Sequence, residues 1–413
     1  MLAILTTHPI QYQTPLWQAL AEDGSVPFEV WFLSKHGLKK SQDEGFGKKF
    51  AWDIDLLSRY PHRFLRTNTN SSVSSFYRLR LAEPLGREFV ERKVSALWIQ
   101  GWQVMAYWQA VREAHRAGIP VWLRGESNDL GGMPLWKRVI KPVILRQLFR
   151  RIETFLYIGT ANRRLYEKYG VQSYQLHSAP YSVDNERFAR QAAESRPLRA
   201  KIRAEWRIPQ TAFCILFCGK FIPKKRPMDL IKAAHLLSET PAEEKPERLK
   251  QAHLLFVGSG ELGPELRQQC NVIFDAEVSS DAPFDRKYST RPTASFTGFL
   301  NQTEISKAYV AADCLVLPSD YGETWGLVVN EAIASGLPAV VSSACGCAED
   351  LIGTSGPYSL CFPLGDQVAL TRAIVRSAKG LDVPTVESVM SKYNFNVSVR
   401  TVRELFSNLK TKS

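Results

Sequence analysis

Pro318-Ser-Asp-Tyr-Gly-Glu-Thr-Trp-Gly-Leu-Val-Val-Asn-Glu331 is the stretch of this 413-residue chain from which the rest is read. Just before it, Cys314-Leu-Val-Leu-Pro318 is a short apolar run closed by proline, which predicts a buried strand. The run Leu327 to Ser335 has the apolar spacing of a helix, and Ala339-Val-Val-Ser342 predicts a second buried strand beyond Ala334-Ser-Gly-Leu-Pro338. Strand, turn, helix, turn, strand is the repeating unit of a parallel α/β sheet. Glu323 falls in the first turn and Glu331 on the helix.

Eight residues of helix rise by about 12 Å, the span from hexose to ribose in a nucleotide sugar, so one carboxylate would hold each diol. The first N–H groups of the helix, those of Trp325, Gly326 and Leu327, would face a diphosphate between them. Gly326 has no side chain to keep a phosphate away. The bland alternative, a solvated helix glutamate and an ordinary loop acid, suits an isolated pair but not one set between two such strands. The segment resembles the signature of retaining glycosyltransferases of family GT4, in which a Glu, seven residues and a second Glu clamp the donor sugar and its ribose. The resemblance implies an α/β protein of GT-B fold, with two Rossmann-like doubly wound domains facing across a cleft.

The alternation along the chain agrees with that expectation. Leu2 to Thr6, Phe28 to Leu33, Ala96 to Gln100, Pro120 to Arg124 and Thr154 to Ile158 predict strands, with helices such as Pro15 to Ala21 and Tyr107 to Ala117 between them. Residues 190 to 205 turn polar, and the strand pattern restarts with Phe213 to Phe217, His253 to Val257, Ser295 to Phe296, Cys314 to Leu317 and Ala339 to Ser342. The expected organisation is an acceptor domain over 1–190, a linker over 191–205, a donor domain over 206–385, and a C-terminal helix within 386–413 that crosses back to the first domain. Ser238 to Gln251 and Phe274 to Thr293 read as surface loops.

Phe217-Cys-Gly-Lys-Phe-Ile-Pro-Lys-Lys-Arg-Pro-Met-Asp-Leu230 places cations beside a glycine turn. It resembles the family's phosphate-binding segment, with Gly219 and Lys225 in register and Lys220 where an arginine is usual; lysine supplies the charge without the two-pronged guanidinium. Lys224 and Arg226 read as a solvated helix start. The resemblance places Gly258, in Leu254-Leu-Phe-Val-Gly-Ser-Gly260, near the nucleoside, and Phe299 and Leu300 beside the base, although a core role suits the last two equally. Gly346 and Glu349 match the family's glycine pair ending in Glu, with Cys345 replacing a glycine. Thr324, Trp325, Gly326 and Leu327 complete the donor-binding set, and Glu323, Lys220, Lys225, His8 and Arg124 are the candidate catalytic residues. No cofactor or metal is expected, only a donor of UDP or GDP type: no His/Cys cluster appears.

The first half departs more from the pattern. Thr7-His-Pro-Ile-Gln-Tyr-Gln-Thr-Pro15 stands where many members have a glycine-rich loop, and it resembles a subgroup associated with surface polysaccharide assembly. His8 is either a phosphate or acceptor ligand or a structural hydrogen-bonder. In Val121-Trp-Leu-Arg-Gly-Glu-Ser127, Arg124 and Glu126 occupy a loop where the family often has a histidine, and they serve either the reacting sugar or a structural salt bridge. Ser178-Ala-Pro-Tyr-Ser-Val-Asp-Asn-Glu-Arg-Phe188 resembles the Pro-x-x-Val-Asp-x-x-x-Phe turn that ends the family's first domain.

The net charge of +12 is concentrated in residues 1–200, which carry 29 Lys+Arg against 18 Asp+Glu. Such an excess points to an anionic partner: a glycan or lipid-linked acceptor, or a phospholipid surface, with nucleic acid the weaker reading. Met133 to Ile152 mixes apolar residues with six cations and reads as a helix lying on an anionic membrane, or else as a domain helix with its cations in water. No run long enough to span a bilayer and no signal peptide are apparent, so a cytoplasmic protein at the inner face of the membrane is expected. Seven cysteines, an odd number lying after residue 213 and partly inside apolar runs, point to reduced thiols. Two other functions fit less of the sequence: a sugar phosphorylase or nucleotide-sugar epimerase on the same fold, and a non-catalytic polyanion or membrane binder, which leaves the Glu323 to Glu331 segment unexplained.

Overall fold

The computed structural model describes residues 1–38, 41–43, 48–50, 52–68, 76–132, 135–241, 243, 245–277, 290–353, 360–380 and 386–410. Most of the expected loop from Phe274 to Thr293 and the start of the expected membrane helix, Met133 and Pro134, therefore lie outside the described residues. The chain divides into two compact units: Met1–Ser41 with Phe50–Val183 and Lys392–Ser413, and Gln42–Lys49 with Asp184–Ser391.

The strands up to Ser178 are β1 (Leu2–Thr6), β2 (Phe28–Phe32), β3 (Ser41–Asp43), β4 (Lys48–Phe50), β5 (His62–Phe64), β6 (Ala96–Ile99), β7 (Val121–Leu123), β8 (Thr154–Tyr157) and β9 (Leu176–Ser178), all in the first unit except β3 and β4, which fall mostly in Gln42–Lys49 of the second. Apart from the β3–β4 pair, which forms its own ribbon, they make a parallel sheet of order β5-β2-β1-β6-β7-β8-β9. Alternate residues of one strand serve opposite faces: Ala3 and Leu5 join a core with Trp31, Leu97, Ile99 and Phe155, whereas Leu2 and Ile4 join one with Val30, Phe32, Trp98 and Trp122. Both faces being apolar explains why β1 reads as an unbroken hydrophobic run.

The helix Phe395–Lys410 belongs to this unit, lying on the helix Thr14–Asp23. Val399, Val402 and Phe406, spaced by three and four residues, fill the second of the two cores. Burying each contributes about 2 kcal/mol. Arg403 donates to Asp23 at 2.9 Å across the same pair of helices. Leu135–Phe149 is one helix that continues through Pro142; its later turns bury Leu145, Leu148 and Phe149, with Ile152 just beyond, while Val143 and Ile144 are exposed. That half is a domain helix. Among the described residues no helix is long and apolar enough to cross a membrane.

The second unit contains β10 (Phe213–Cys218), β11 (Ala252–Val257), β12 (Asn271–Asp275), β13 (Thr293–Gly298), β14 (Cys314–Leu317), β15 (Ala339–Ser342) and β16 (Cys361–Phe362). They form a parallel sheet of order β12-β13-β11-β10-β14-β15-β16. The order reverses between β10 and β14, where an open α/β sheet leaves a crevice at its carboxyl edge.

Residues 191–205, expected to be a linker, are helical within the second unit: Asn185–Ser195, a turn at Arg196–Leu198, and Arg199–Glu205. Their polar composition is that of helices with one buried stripe. Asp184 caps the first by accepting from the Arg187 N–H at 2.9 Å. Arg203, only 2% exposed, anchors the last, donating to the carbonyls of Ala311 and Ala212 and to Asp313. The expected loop over Ser238–Gln251 begins inside the helix Pro227–Glu239, and that over Phe274–Thr293 overlaps the end of β12.

Candidate active site

At the reversal point of the second sheet, the loop leaving β10 meets the loop leaving β14. After Gly219 and Lys220 the chain makes a tight turn at Pro223–Lys225, and Arg226 takes φ 49° before Pro227 starts the next helix. Arg226 is held there by Asp229, which accepts from Nε at 2.7 Å, so it is more than a solvated cation. The Lys224 carbonyl accepts from the Asp320 N–H at 2.9 Å, tying the two loops together. Beside this bond the Lys225 ammonium pairs with the Glu323 carboxylate, both side chains less than one-fifth exposed.

Glycines make the crossing of loops feasible. Gly258 has φ +132°, and a Cβ there would stand 2.0 Å from the Gly219 carbonyl oxygen. The Gly219 N–H donates to the Val257 carbonyl, the Phe221 N–H to that of Ser259, and the Gly258 N–H to that of Gly298. Three loop beginnings are therefore bonded side by side, and the register of β11 on β13 slips by a bulge between Phe256 and Val257. A Cβ on Gly219 itself would meet nothing within 4 Å. Phe299 and Leu300, half-buried, follow directly after β13.

Gly326 is the N-terminal cap of the helix Leu327–Ala334, with φ 108°. A Cβ there would be 2.7 Å from a Leu317 methyl and 3.3 Å from the Cys347 sulfur, so the helix start is pressed against β14. Trp325 is buried and its Nε1 donates to Asn330 at 2.8 Å, so its ring is a structural anchor for the turn. Thr324 is exposed and Leu327 half-buried. The loop around Gly346 supports the turn from behind: the Gly346 N–H donates to the Glu323 carbonyl and the Cys347 N–H to that of Trp325.

Glu331 is half-buried and its carboxyl accepts from the Tyr309 hydroxyl. Burial raises its pKa, opposed by the Tyr309 bond, the nearby Arg187 charge and a bond from Gln302. Arg187 donates to the Gln302 side chain at 2.7 Å and to its carbonyl at 3.2 Å. The Cys218 thiol at the end of β10 is pushed up to about 12 by burial and then by Glu331. Arg187, Gln302 and Tyr309 are thus a second layer around Glu331 that the sequence reading did not single out. Arg187 stands inside the quoted Val183-Asp-Asn-Glu-Arg-Phe188 turn, and that position was its one available signal.

In the first unit, His8 follows β1, which adjoins β6 where that sheet reverses order. Its Nδ1 lies 2.9 Å from the Thr7 hydroxyl, and its ring meets that of His36 edge-on at 5.1 Å. Burial, with the neighbouring His36 charge, lowers its pKa to about 4, so the imidazole is neutral at pH 7. Arg124 is 3% exposed, donates to the carbonyls of Ala179 and Pro180, and lies over the Tyr181 ring. Tyr181 in turn donates its hydroxyl to Glu126. Arg124 and Glu126 are thus joined through Tyr181. Among the described residues no group of three or more His, Cys, Asp or Glu side chains is placed to hold a metal.

Residues 199–374 match the family model of glycosyl transferases group 1. Over 149 residues the chain is 31% identical to D-inositol 3-phosphate glycosyltransferase of Nocardioides sp., an alignment covering 36% of this chain and 30% of that one. Among solved structures, a glycosyltransferase from Rickettsia africae superposes with a TM-score of 0.67 at 12% identity, covering 100% of this chain and 99% of that one. Anabaena HepE, solved in complex with UDP-glucose, superposes with a TM-score of 0.61 at 14% identity, covering 98% and 99%. These two likenesses are of fold: two doubly wound α/β units of GT-B type. The match to glycosyl transferases group 1 covers residues 199–374, less than half of the chain.

Proposed function

We propose that the protein is a retaining glycosyltransferase that moves a hexose from a nucleotide diphosphate sugar to a hydroxyl of a glycan or lipid-linked acceptor. The observation that carries this reading is the contact of Lys225 with Glu323 at the strand-order reversal of the second sheet, beside the helix start at Gly326. Lys220, Lys225 and the N-terminal turn at Gly326 stabilise the diphosphate. Glu323 orients the sugar and Glu331 the ribose. Gly219 leaves room for a phosphate, Gly258 keeps the nucleoside loop close, and Phe299 and Leu300 border the base. The bond from the anomeric carbon to the diphosphate breaks, the acceptor oxygen bonds that carbon on the same face, and the acceptor proton passes to the departing diphosphate. The donor is of UDP or GDP type; the UDP-glucose complex of the structurally similar HepE supports the former.

On the acceptor side, a neutral His8 receives a hydrogen bond from the acceptor or donates one to it. Arg124, its donors engaged by carbonyls, holds the Tyr181 and Glu126 side chains in place. The basic first half, and exposed Val143 and Ile144 near Arg146, Arg150 and Arg151, support work at the anionic inner face of a membrane, in surface polysaccharide or glycolipid assembly. Calorimetry against a panel of nucleotide diphosphates and their sugars tests the donor reading. Binding of one nucleotide diphosphate, lost in Glu331→Ala, is the expected result, and no binding by any member of the panel would sink the proposal.

A further inference from the structure

We propose that the second unit carries an anion recess at the amino edge of its sheet, opposite Lys225 and Glu323, that takes a small phosphate monoester such as a sugar monophosphate. Asp313 immediately precedes β14, and Leu337 and Pro338 immediately precede β15, so the recess they line lies at the end of the strands away from the donor loops. It has a volume of about 380 Å³, and Arg196, Arg199 and Arg248 border it. Asp313, the single carboxylate among the described residues that line it, is shared by Arg199 at 3.0 Å, Arg203 at 2.7 Å and Arg248 at 3.2 Å. Among the described residues, four guanidinium groups stand against one carboxylate.

The four arginines differ in what they do. Arg203 is buried and its bonds to carbonyls and to Asp313 are structural. Arg199 gives two bonds to the Val310 and Ala312 carbonyls and one to Asp313. Arg196 and Arg248 are exposed and each donates through one nitrogen, Arg196 to the Ser335 carbonyl at 3.1 Å and Arg248 to Asp313. A guanidinium has five N–H donors in a fork that matches phosphate, so both have the capacity for a further ligand. Gly336 lets Arg196 come in close, since a Cβ there would stand 3.1 Å from its Nη2.

Ser335, 3% exposed, forms part of the recess wall with its hydroxyl covered. Arg196, Ser335 and Gly336 also border a shallower recess of about 570 Å³, floored by Ala189, Ala193, Pro197 and Ala334. A phosphate held by the arginines would place its ester group over this apolar shelf, which suits the C–H face of a sugar ring.

Calorimetry and thermal shift of the full chain with inorganic phosphate, a hexose 6-monophosphate and the free hexose test the assignment. The expected result is saturable binding, at least about tenfold tighter for the sugar monophosphate than for phosphate, and none for the hexose. Arg196→Gln with Arg248→Gln should weaken it at least about tenfold, and Lys225→Ala should leave it unchanged. Absence of saturable binding, binding that survives the double arginine change, or loss in Lys225→Ala would each overturn the proposal. Equal affinity for phosphate and its sugar ester would overturn it too. Should the double variant fail to fold, the single changes Arg196→Gln and Arg248→Gln decide: weaker binding with an unliganded Tm unchanged supports the recess, and unchanged affinity in both overturns it.

Discussion

Lys225 and Glu323 lie 98 residues apart in sequence and form an ion pair between the two loops at which the second sheet reverses its strand order. Their side chains are 17% and 13% exposed, so each screens the other from the cost of a half-buried charge. Glu323→Ala is expected to lower turnover by about 10²–10³-fold, the loss of one preorganised group at the reacting centre. It should also cost about 1–3 kcal/mol of stability by leaving Lys225 unpaired. Sugar-transfer assays and denaturant midpoints on the same preparations check both; a variant with near-normal turnover would remove the core of the proposed mechanism.

The two glycines beside this pair should respond differently to the same change. In Gly258→Ala the new methyl meets the Gly219 carbonyl at 2.0 Å, a backbone atom that cannot swing away. A loss of more than about 2 kcal/mol is expected. In Gly219→Ala the methyl meets nothing, so stability should fall by only about 1 kcal/mol from the positive φ, while nucleotide affinity falls because the methyl occupies ligand space. Chemical denaturation with calorimetry separates the two; equal stability losses would contradict the packing described.

The central strands were legible because they are apolar on both faces: β1, β14 and β15 begin and end where their hydrophobic runs do. Within the two large sheets, the strands absent from the expected set are β5, β9, β12 and β16, the four edges, where His62, Arg63, His177 and Asn271 break the pattern; the separate β3–β4 ribbon is absent from it too. Edges are half-solvated, and their hydrophobic signal is correspondingly weak. Residues 191–205 look like a linker because their buried stripe is thin, with Ala192, Ile202 and the polar Arg203 carrying it. In the site, Glu323, Gly326 and Glu331 stood out by spacing. Arg187, Gln302 and Tyr309 did not, because Arg187 reaches Gln302 across 115 residues of chain and only the folded sheet brings them together. Gly258 was visible as part of a Gly-x-Gly turn, but its reason, the Gly219 carbonyl behind it, was not.

Glu331 offers a test in which pH carries the sign. Burial raises its pKa from the ordinary 4.5, so the folded state binds a proton that the unfolded chain has released. Its contribution to stability is therefore fully present below pH 4.5 and is lost as pH rises through the higher folded value. Glu331→Gln should be more stable than the parent at pH 7, with the difference closing towards pH 4, while losing nucleotide affinity. Tyr309→Phe removes the hydroxyl that supports the ionised form, which should raise the Glu331 pKa further and steepen the parent's loss. Thermal melts at several pH values read this out; a Gln variant less stable than the parent at pH 7 would be the contrary result.

His253 in the middle of the second sheet gives the opposite sign. It is fully buried, with Nε2 at 2.9 Å from the Ser295 hydroxyl and Nδ1 at 3.1 Å from that of Thr293. Ser295 donates its own proton to the Trp206 carbonyl at 2.7 Å, so it accepts from Nε2–H and leaves Nδ1 to receive the Thr293 proton. A second proton on the ring would be donated from Nδ1 to the Thr293 oxygen, whose own proton would turn to the Ala252 carbonyl, a long 3.4 Å off. Burial, assisted by Arg203, accordingly lowers the His253 pKa from 6.5 to about 4. Between those values the unfolded chain takes up the proton that the folded chain refuses, so stability falls as pH drops below 6.5 and levels off near 4. The full loss is on the order of 3 kcal/mol. His8 has the same sign, so the informative comparison is with His253→Gln, which keeps one donor and one acceptor for Ser295 and Thr293. Denaturant midpoints measured from pH 7 to pH 4.5 should fall more steeply for the parent than for the variant, and parallel curves would show that the imidazole is not held neutral by this pair of hydroxyls.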